Sequence, residues 1–228
     1  MRHPGTDLRA VIFDLDGTLV DTADDFIPVV QQLRQECGRP PMDTQRIRSS
    51  VSNGSRALVT LALDVDQNDA RFEAHRQRLL ALYADILGCH ARLYPGIGLL
   101  LEHLASRGVA WGIATNKPRE YTVPLLEKLA LKPASVVCPD DVTHAKPHPE
   151  SLEKNCRELK CEISEAVYLG DHLRDIQAGK RAGMYTIAAA YGYIEPGDSA
   201  HSWDADAVAL QSSELTALLF PAQETGYA

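Results

Sequence analysis

Two aspartates stand two residues apart in Asp14-Leu15-Asp16-Gly17-Thr18, directly behind the apolar run Ala10-Val11-Ile12-Phe13. In extended chain, side chains at i and i+2 point to the same side. The glycine that follows lets the chain turn sharply. Like charges at one strand end cost free energy unless a cation or a reaction uses them. One carboxylate can attack phosphorus while the other carries a proton. The same residues also suit a strand-ending Asx turn with solvated carboxylates.

Three more polar groups close apolar runs. Thr115-Asn116 follows Gly112-Ile113-Ala114. A hydroxyl, an amide and free backbone N–H groups suit a phosphate oxygen, and they equally suit a plain strand-to-helix cap. Lys146 precedes Pro147-His148-Pro149. It is either a counter-charge for an anion or a solvated lysine, as most lysines are. His148 reads as a surface histidine. Asp171 and Asp175 lie four apart in Gly170-Asp171-His172-Leu173-Arg174-Asp175 and share one face of a helix start. Oxygen ligands there suit Mg²⁺, and compensation of helix charge is the alternative.

The elements that would position these groups follow from the apolar pattern. Strand-like runs fall at 8–13, 109–114, 135–138, 166–169 and 185–190. Helical spacing over 124–131, 149–159 and 174–182 separates the later runs. The alternation predicts an α/β chain with a Rossmann-like parallel sheet and helices on both faces. Ligands bind at the C-terminal strand ends of such sheets, and all four polar groups fall there. The stretch 23–92 differs, with helical patterns at 31–36, 56–63 and 70–87. It reads as a helical insertion that leaves 1–22 and 93–228 as the core, with Tyr94-Pro95-Gly96 marking the return. The tail beyond Phe220 reads as frayed.

The chain has 228 residues, 45% of them hydrophobic, enough for a core domain and a smaller one. The net charge of −8 disfavours nucleic acid and anionic membranes as partners. The five cysteines are odd in number and form no CxxC pair, which argues against structural zinc and a disulfide framework. The N-terminus lacks the apolar segment of a signal peptide, and no apolar run is long enough to span a bilayer. A cytoplasmic location is expected.

The string Asp14-Leu15-Asp16-Gly17-Thr18-Leu19-Val20-Asp21-Thr22 resembles the first motif of the haloacid dehalogenase superfamily of phosphohydrolases. Thr115, Lys146 with its two prolines, and the Asp171/Asp175 pair resemble the superfamily's later motifs, in the same order. The resemblance covers roughly 8–193 and implies a phosphatase. Asp14 would be the nucleophile, forming an aspartyl phosphate, and Asp16 the acid and base. Thr115, Asn116 and Lys146 would hold the phosphoryl group. Mg²⁺ would sit on Asp14, the Asp16 carbonyl and Asp171, with Asp175 supporting its waters. Arg174 departs from the small or polar residue common before that second aspartate. The superfamily's dehalogenases lack the second aspartate of the first motif, which is present here. Its phosphonate-cleaving members need a lysine in the helical cap, and the first lysine of this chain is Lys117.

The insertion resembles the superfamily's small helical cap, which closes over the site. Its turn Ser52-Asn53-Gly54-Ser55-Arg56 is the candidate for substrate contacts, with Arg56 suited to a carboxylate. An ordinary helix–helix turn with a solvated Arg56 has the same composition. The overall pattern looks like bacterial phosphoglycolate phosphatases. The segments 138–147 and 191–206 carry a closer likeness to a sister group that dephosphorylates N-acetylmuramic acid 6-phosphate in cell-wall recycling. The expected partner is a small phosphate monoester, and the expected state a monomer or homodimer. A sugar phosphomutase, or a non-catalytic binding protein on the same core, is the alternative.

Overall fold

The structure is a computed structural model that describes residues 1 and 3–221. The expectation for the tail beyond Phe220 therefore lies almost wholly outside the described residues. In chain order the elements begin with β1 (Ala10–Phe13), β2 (Val20–Asp21), α1 (Ala23–Glu36), α2 (Thr44–Ser49), α3 (Gly54–Leu63) and α4 (Phe72–Ile86). They continue with β3 (Arg92–Leu93), α5 (Ile97–Ser106), β4 (Ala110–Ala114), α6 (Arg119–Lys128), β5 (Ser135–Val137) and α7 (Glu150–Leu159). The chain closes with β6 (Ala166–Gly170), α8 (Leu173–Ala182), β7 (Tyr185–Ala189), β8 (Ala207–Ala209) and α9 (Leu215–Leu219).

Six strands form one parallel sheet in the order β5-β4-β1-β6-β7-β8. Every residue of β1 and β6 is buried, as expected for strands covered on both faces. The register sets Phe13 level with Ile113 and Leu169. Asp14, Thr115 and Asp171 therefore leave the sheet along one edge. The chain runs outward from β1 through β4 to β5, then crosses back to β6. The switch between β1 and β6 opens a crevice at that edge.

Helices α1 to α4 lie between β2 and β3 and pack on one another. β2 and β3 form a separate antiparallel pair, Val20 against Leu93 and Asp21 against Arg92. This ladder joins the outgoing and returning chains. Aromatic packing links the two parts: Phe26 of α1 stacks on Tyr83 of α4 at 4.1 Å, and Tyr83 meets Tyr121 of α6 at 5.6 Å. All five cysteines are free. Among the described residues no helix is long and apolar enough to cross a membrane.

Candidate active site

Asp14 emerges from β1 with its N–H donating to the Leu169 carbonyl at 2.8 Å. Its side chain is nearly buried and meets Lys146, whose Nζ lies 2.8 Å from Asp14 Oδ1 and 2.7 Å from Asp175 Oδ1. Lys146 Nζ also donates to the Ala114 carbonyl at 2.8 Å and to the Tyr168 hydroxyl at 2.9 Å. The sequence left open whether Lys146 is solvated. Its side chain is 1% exposed, so it is not. Burial pushes its pKa down, but the charges of Asp14 and Asp175 outweigh that and raise it.

Carboxylate oxygens of Asp14, Asp171 and Asp175 lie within 4.8 Å of one another. Three buried carboxylates thus face one buried ammonium. Burial raises Asp14 to about 6, against the pull of Lys146, with Asp175 adding to the rise. Burial, then the charges of Asp14 and Asp175, raises Asp171 to about 7. The excess negative charge and the all-oxygen donor set fit a hard divalent cation. Asp171 is the best placed ligand besides Asp14. Its Oδ1 accepts only a 3.2 Å bond from Thr18 Oγ1, while its Oδ2 accepts from Ser52 Oγ and the Tyr193 N–H, both at 2.9 Å. Two glycines make room for it: a Cβ on Gly17 would lie 2.1 Å from Asp171 Oδ2, and one on Gly192 would lie 2.3 Å from its Cβ.

Asp175 is in the carboxylate cluster, but its oxygens are committed. Oδ1 is held by Lys146 and the Tyr168 hydroxyl, and Oδ2 by the His172 N–H. This arrangement also anchors Lys146. Asp16 contributes no side-chain oxygen to that cluster. Its Oδ1 accepts from Thr22 Oγ1 at 2.7 Å and from Lys117 Nζ at 3.0 Å.

Thr115 is buried at the end of β4, and its Oγ1 accepts from the Lys117 N–H at 3.0 Å. The Asn116 side chain is spent on the Lys146 backbone. Its Nδ2 donates to the Lys146 carbonyl at 3.0 Å, and its Oδ1 accepts from the Lys146 N–H at 3.1 Å. Asn116 therefore braces the lysine loop, and it also lines the cavity. His148 is half exposed, as its sequence context suggests.

Asp14, Asp16, Thr115 and Asn116 line one end of a cavity of about 480 Å³. The helical insertion supplies the other end, including Ser52, Asn53, Gly54 and Arg56 of the expected turn. Ser52 reaches Asp171 directly. Asn53 Nδ2 donates to Glu195, and Asn53 Oδ1 lies 3.1 Å from His172 Nε2. Arg174 Nη2 donates to the Ser52 carbonyl, so this unusual residue clasps the turn instead of entering the carboxylate cluster. Arg56 is exposed at the cavity wall, with its guanidinium 5.8 Å from the Phe72 ring.

Sequence reasoning missed several lining residues. Arg76, Gln77, Leu80 and Tyr83 come from α4, and Glu120 and Tyr121 from α6. Helical spacing gives a face but not what the face looks at. Lys117 carried a signal, because it directly follows Thr115-Asn116. Tyr193 was also missed. Its N–H holds Asp171, while its hydroxyl accepts from the N–H groups of Thr22 and Ala23 and donates to Asp21. It ties the carboxylate cluster to the base of the insertion.

The model of the haloacid dehalogenase-like hydrolase family matches residues 11–189. The chain belongs to this family. It is 42% identical over 214 residues to the N-acetylmuramic acid 6-phosphate phosphatase of Pseudomonas aeruginosa, covering 93% of this chain and 95% of that one. It is 37% identical over 217 residues to the phosphoglycolate phosphatase of Xanthomonas campestris pv. campestris, covering 94% and 96%. A crystal structure of a predicted phosphoglycolate phosphatase from Haemophilus somnus shares the fold, with a TM-score of 0.83 over 93% of this chain and 98% of that one, at 22% identity.

Proposed function

We propose that the chain is a Mg²⁺-dependent phosphomonoester hydrolase whose substrate is N-acetylmuramic acid 6-phosphate. The observation that carries the chemistry is the buried Lys146 ammonium between Asp14, which lines the cavity, and Asp175, beside Asp171. Asp14 attacks phosphorus, and the bond from phosphorus to the substrate's alcohol oxygen breaks. Asp16 gives that oxygen its proton. In the second half, Asp16 takes a proton from water as the water oxygen attacks phosphorus. The Asp14–phosphorus bond then breaks and phosphate leaves. Thr115 and Lys146 hold the phosphoryl oxygens, and Asp175 and Asn116 hold Lys146. Mg²⁺, held by Asp14, Asp171 and the Asp16 carbonyl, would neutralise phosphoryl charge.

We read residues 23–92 as a cap over a core of 1–22 and 93–228. The contacts from Ser52 to Asp171 and from Arg174 to Ser52 support a closed arrangement that excludes water during transfer. The cavity's size supports the sugar over the two-carbon acid. About 480 Å³ lined by Arg56, Arg76, Gln77 and Tyr121 suits an acetylated amino sugar with a carboxylate arm. Phosphoglycolate would leave most of it filled with water. The likeness to a relative named for the same substrate points the same way.

The test is phosphate release from N-acetylmuramic acid 6-phosphate, 2-phosphoglycolate and p-nitrophenyl phosphate with Mg²⁺. The muramic ester should lead in kcat/KM. A preference for phosphoglycolate overturns the substrate, and no release from any of the three overturns the chemistry. Arg56→Ala should lose roughly tenfold to a hundredfold on the muramic ester, the worth of one charge-assisted contact. It should change little on the aryl phosphate. Equal losses on both would remove Arg56 from the substrate's carboxylate.

A further inference from the structure

We propose that Lys117 is the positioning residue that couples closure of the helical insertion to Asp16. The proposal rests on the reading of Asp16 as the proton carrier. The Lys117 backbone is fixed at both ends of its peptide. Its N–H donates to Thr115 Oγ1 at 3.0 Å, and its carbonyl accepts from Thr122 Oγ1 at 3.1 Å. The side chain is 6% exposed and lines the cavity. Its Nζ lies 3.0 Å from Asp16 Oδ1. Among the described residues no other cation lies within ion-pair distance of Asp16.

The remaining surroundings of that ammonium come from the insertion. The Tyr83 ring centroid is 4.7 Å away and the Phe26 centroid 5.2 Å away. These two rings stack on each other with planes 11° apart. A cation over aromatic faces is attracted most strongly where water is excluded. Phe26 sits on α1 and Tyr83 on α4, while Asp16 and Lys117 belong to the sheet edge. The ammonium therefore has its full set of partners when both parts meet. If α1 and α4 move away, water replaces the rings and screens the Asp16–Lys117 attraction. The pair then holds Asp16 less firmly, beside its hydroxyl contact with Thr22. Closure thus orients the carboxyl group that must face the leaving oxygen.

The role predicts a split between leaving groups. An alkyl alcohol needs its proton as the phosphorus–oxygen bond breaks, whereas p-nitrophenolate leaves without one. The experiment follows alcohol and p-nitrophenolate release in the first turnover by rapid mixing. This isolates transfer to Asp14 from the later hydrolysis. Lys117→Met should slow alcohol release from N-acetylmuramic acid 6-phosphate by about 10- to 100-fold, with KM nearly unchanged, within the range general acids supply. It should slow the p-nitrophenolate burst by less than about threefold on the same scale. Lys117→Arg should recover most of the loss. Tyr83→Leu should show the same split, and adding it to Lys117→Met should cost little more, because the two act as one unit.

Equal slowing of both substrates by Lys117→Met overturns the coupling. So does a loss confined to KM, which would make Lys117 a substrate-binding cation. Asp16→Asn separates this failure from that of the underlying reading. If Asp16→Asn leaves alcohol release intact, Asp16 is not the proton carrier and the reading beneath the proposal is what fails. Thermal melts of each variant check that the fold is kept.

Discussion

Single atoms decide much at the carboxylate cluster. Asp14→Asn keeps the shape of the side chain but cannot form an acyl phosphate. Turnover of p-nitrophenyl phosphate should fall by more than about 10³-fold, as for other covalent nucleophiles. Circular dichroism should show the fold intact, since Lys146 still pairs with Asp175. Near-normal turnover would end the assignment. Gly17→Ala tests the space around Asp171. Gly17 has φ +84°, and its new Cβ would meet Asp171 Oδ2 at 2.1 Å and the Tyr193 ring at 2.9 Å. Neither neighbour can yield easily, because the Tyr193 N–H and Ser52 hold that oxygen. Stability should drop by about 1–3 kcal/mol in urea unfolding. Mg²⁺ affinity should weaken roughly tenfold by calorimetry, as for lost outer contacts of a metal ligand. An unchanged affinity would mean that Asp171 tolerates displacement.

The elements were legible where the apolar pattern was continuous. The runs at 166–169 and 185–190 correspond to β6 and β7, and 70–87 corresponds to α4, within two residues at each end. Two helices begin earlier than their apolar spacing predicts. Helix α1 starts at Ala23, not at 31, and carries Pro28 inside it. Helix α6 starts at Arg119, with Pro124 inside rather than at its start. Strands β2 and β3 have two residues each, too few for any periodicity, and exist through their mutual pairing. In the site, the residues at strand ends were readable because topology gathers them. Arg76, Tyr83 and Tyr121 were not, since helical spacing does not tell which face of α4 or α6 meets the cavity. The insertion's two ends are also closed by an unforeseen buried carboxylate. Asp25 of α1 is fully buried, and its oxygens accept from the Gly88 and His90 N–H groups, both at 2.7 Å. Asp25→Ala orphans both amides, each costing about 1–3 kcal/mol. Denaturant melts should show a loss of at least about 2 kcal/mol. A loss below half that would mean the return chain is held by other contacts.

At the scale of the whole molecule, the site is a liability that a bound cation would relieve. Folding buries Asp14, Asp171 and Asp175 around one lysine in a chain that already carries a net charge of −8. Asp14 rises to about 6 and Asp171 to about 7 from an ordinary value of 3.8. The folded state therefore holds these protons more tightly than the unfolded chain does. Their stabilising contribution is full below about pH 4 and is lost as pH rises through about 6 to 7. His172 runs the other way. Burial, with Arg174 nearby, lowers it from 6.5 to about 4. Its contribution is present above about 6.5 and is lost as pH falls toward about 4. The melting temperature of the metal-free protein mixes these opposite slopes, so the clean quantity is the increment that Mg²⁺ adds. Mg²⁺ competes with protons for Asp14 and Asp171, so its increment must grow with pH. At a hundredfold excess over Kd, ligand stabilisation of about 2.7 kcal/mol corresponds to roughly 5–10 °C for a chain of this size. That increment is expected at pH 7.5, and less than half of it at pH 5 with the same Mg²⁺. Asp171→Asn should abolish most of the increment at pH 7.5. Equal increments at both pH values would mean that Mg²⁺ binds away from these carboxylates.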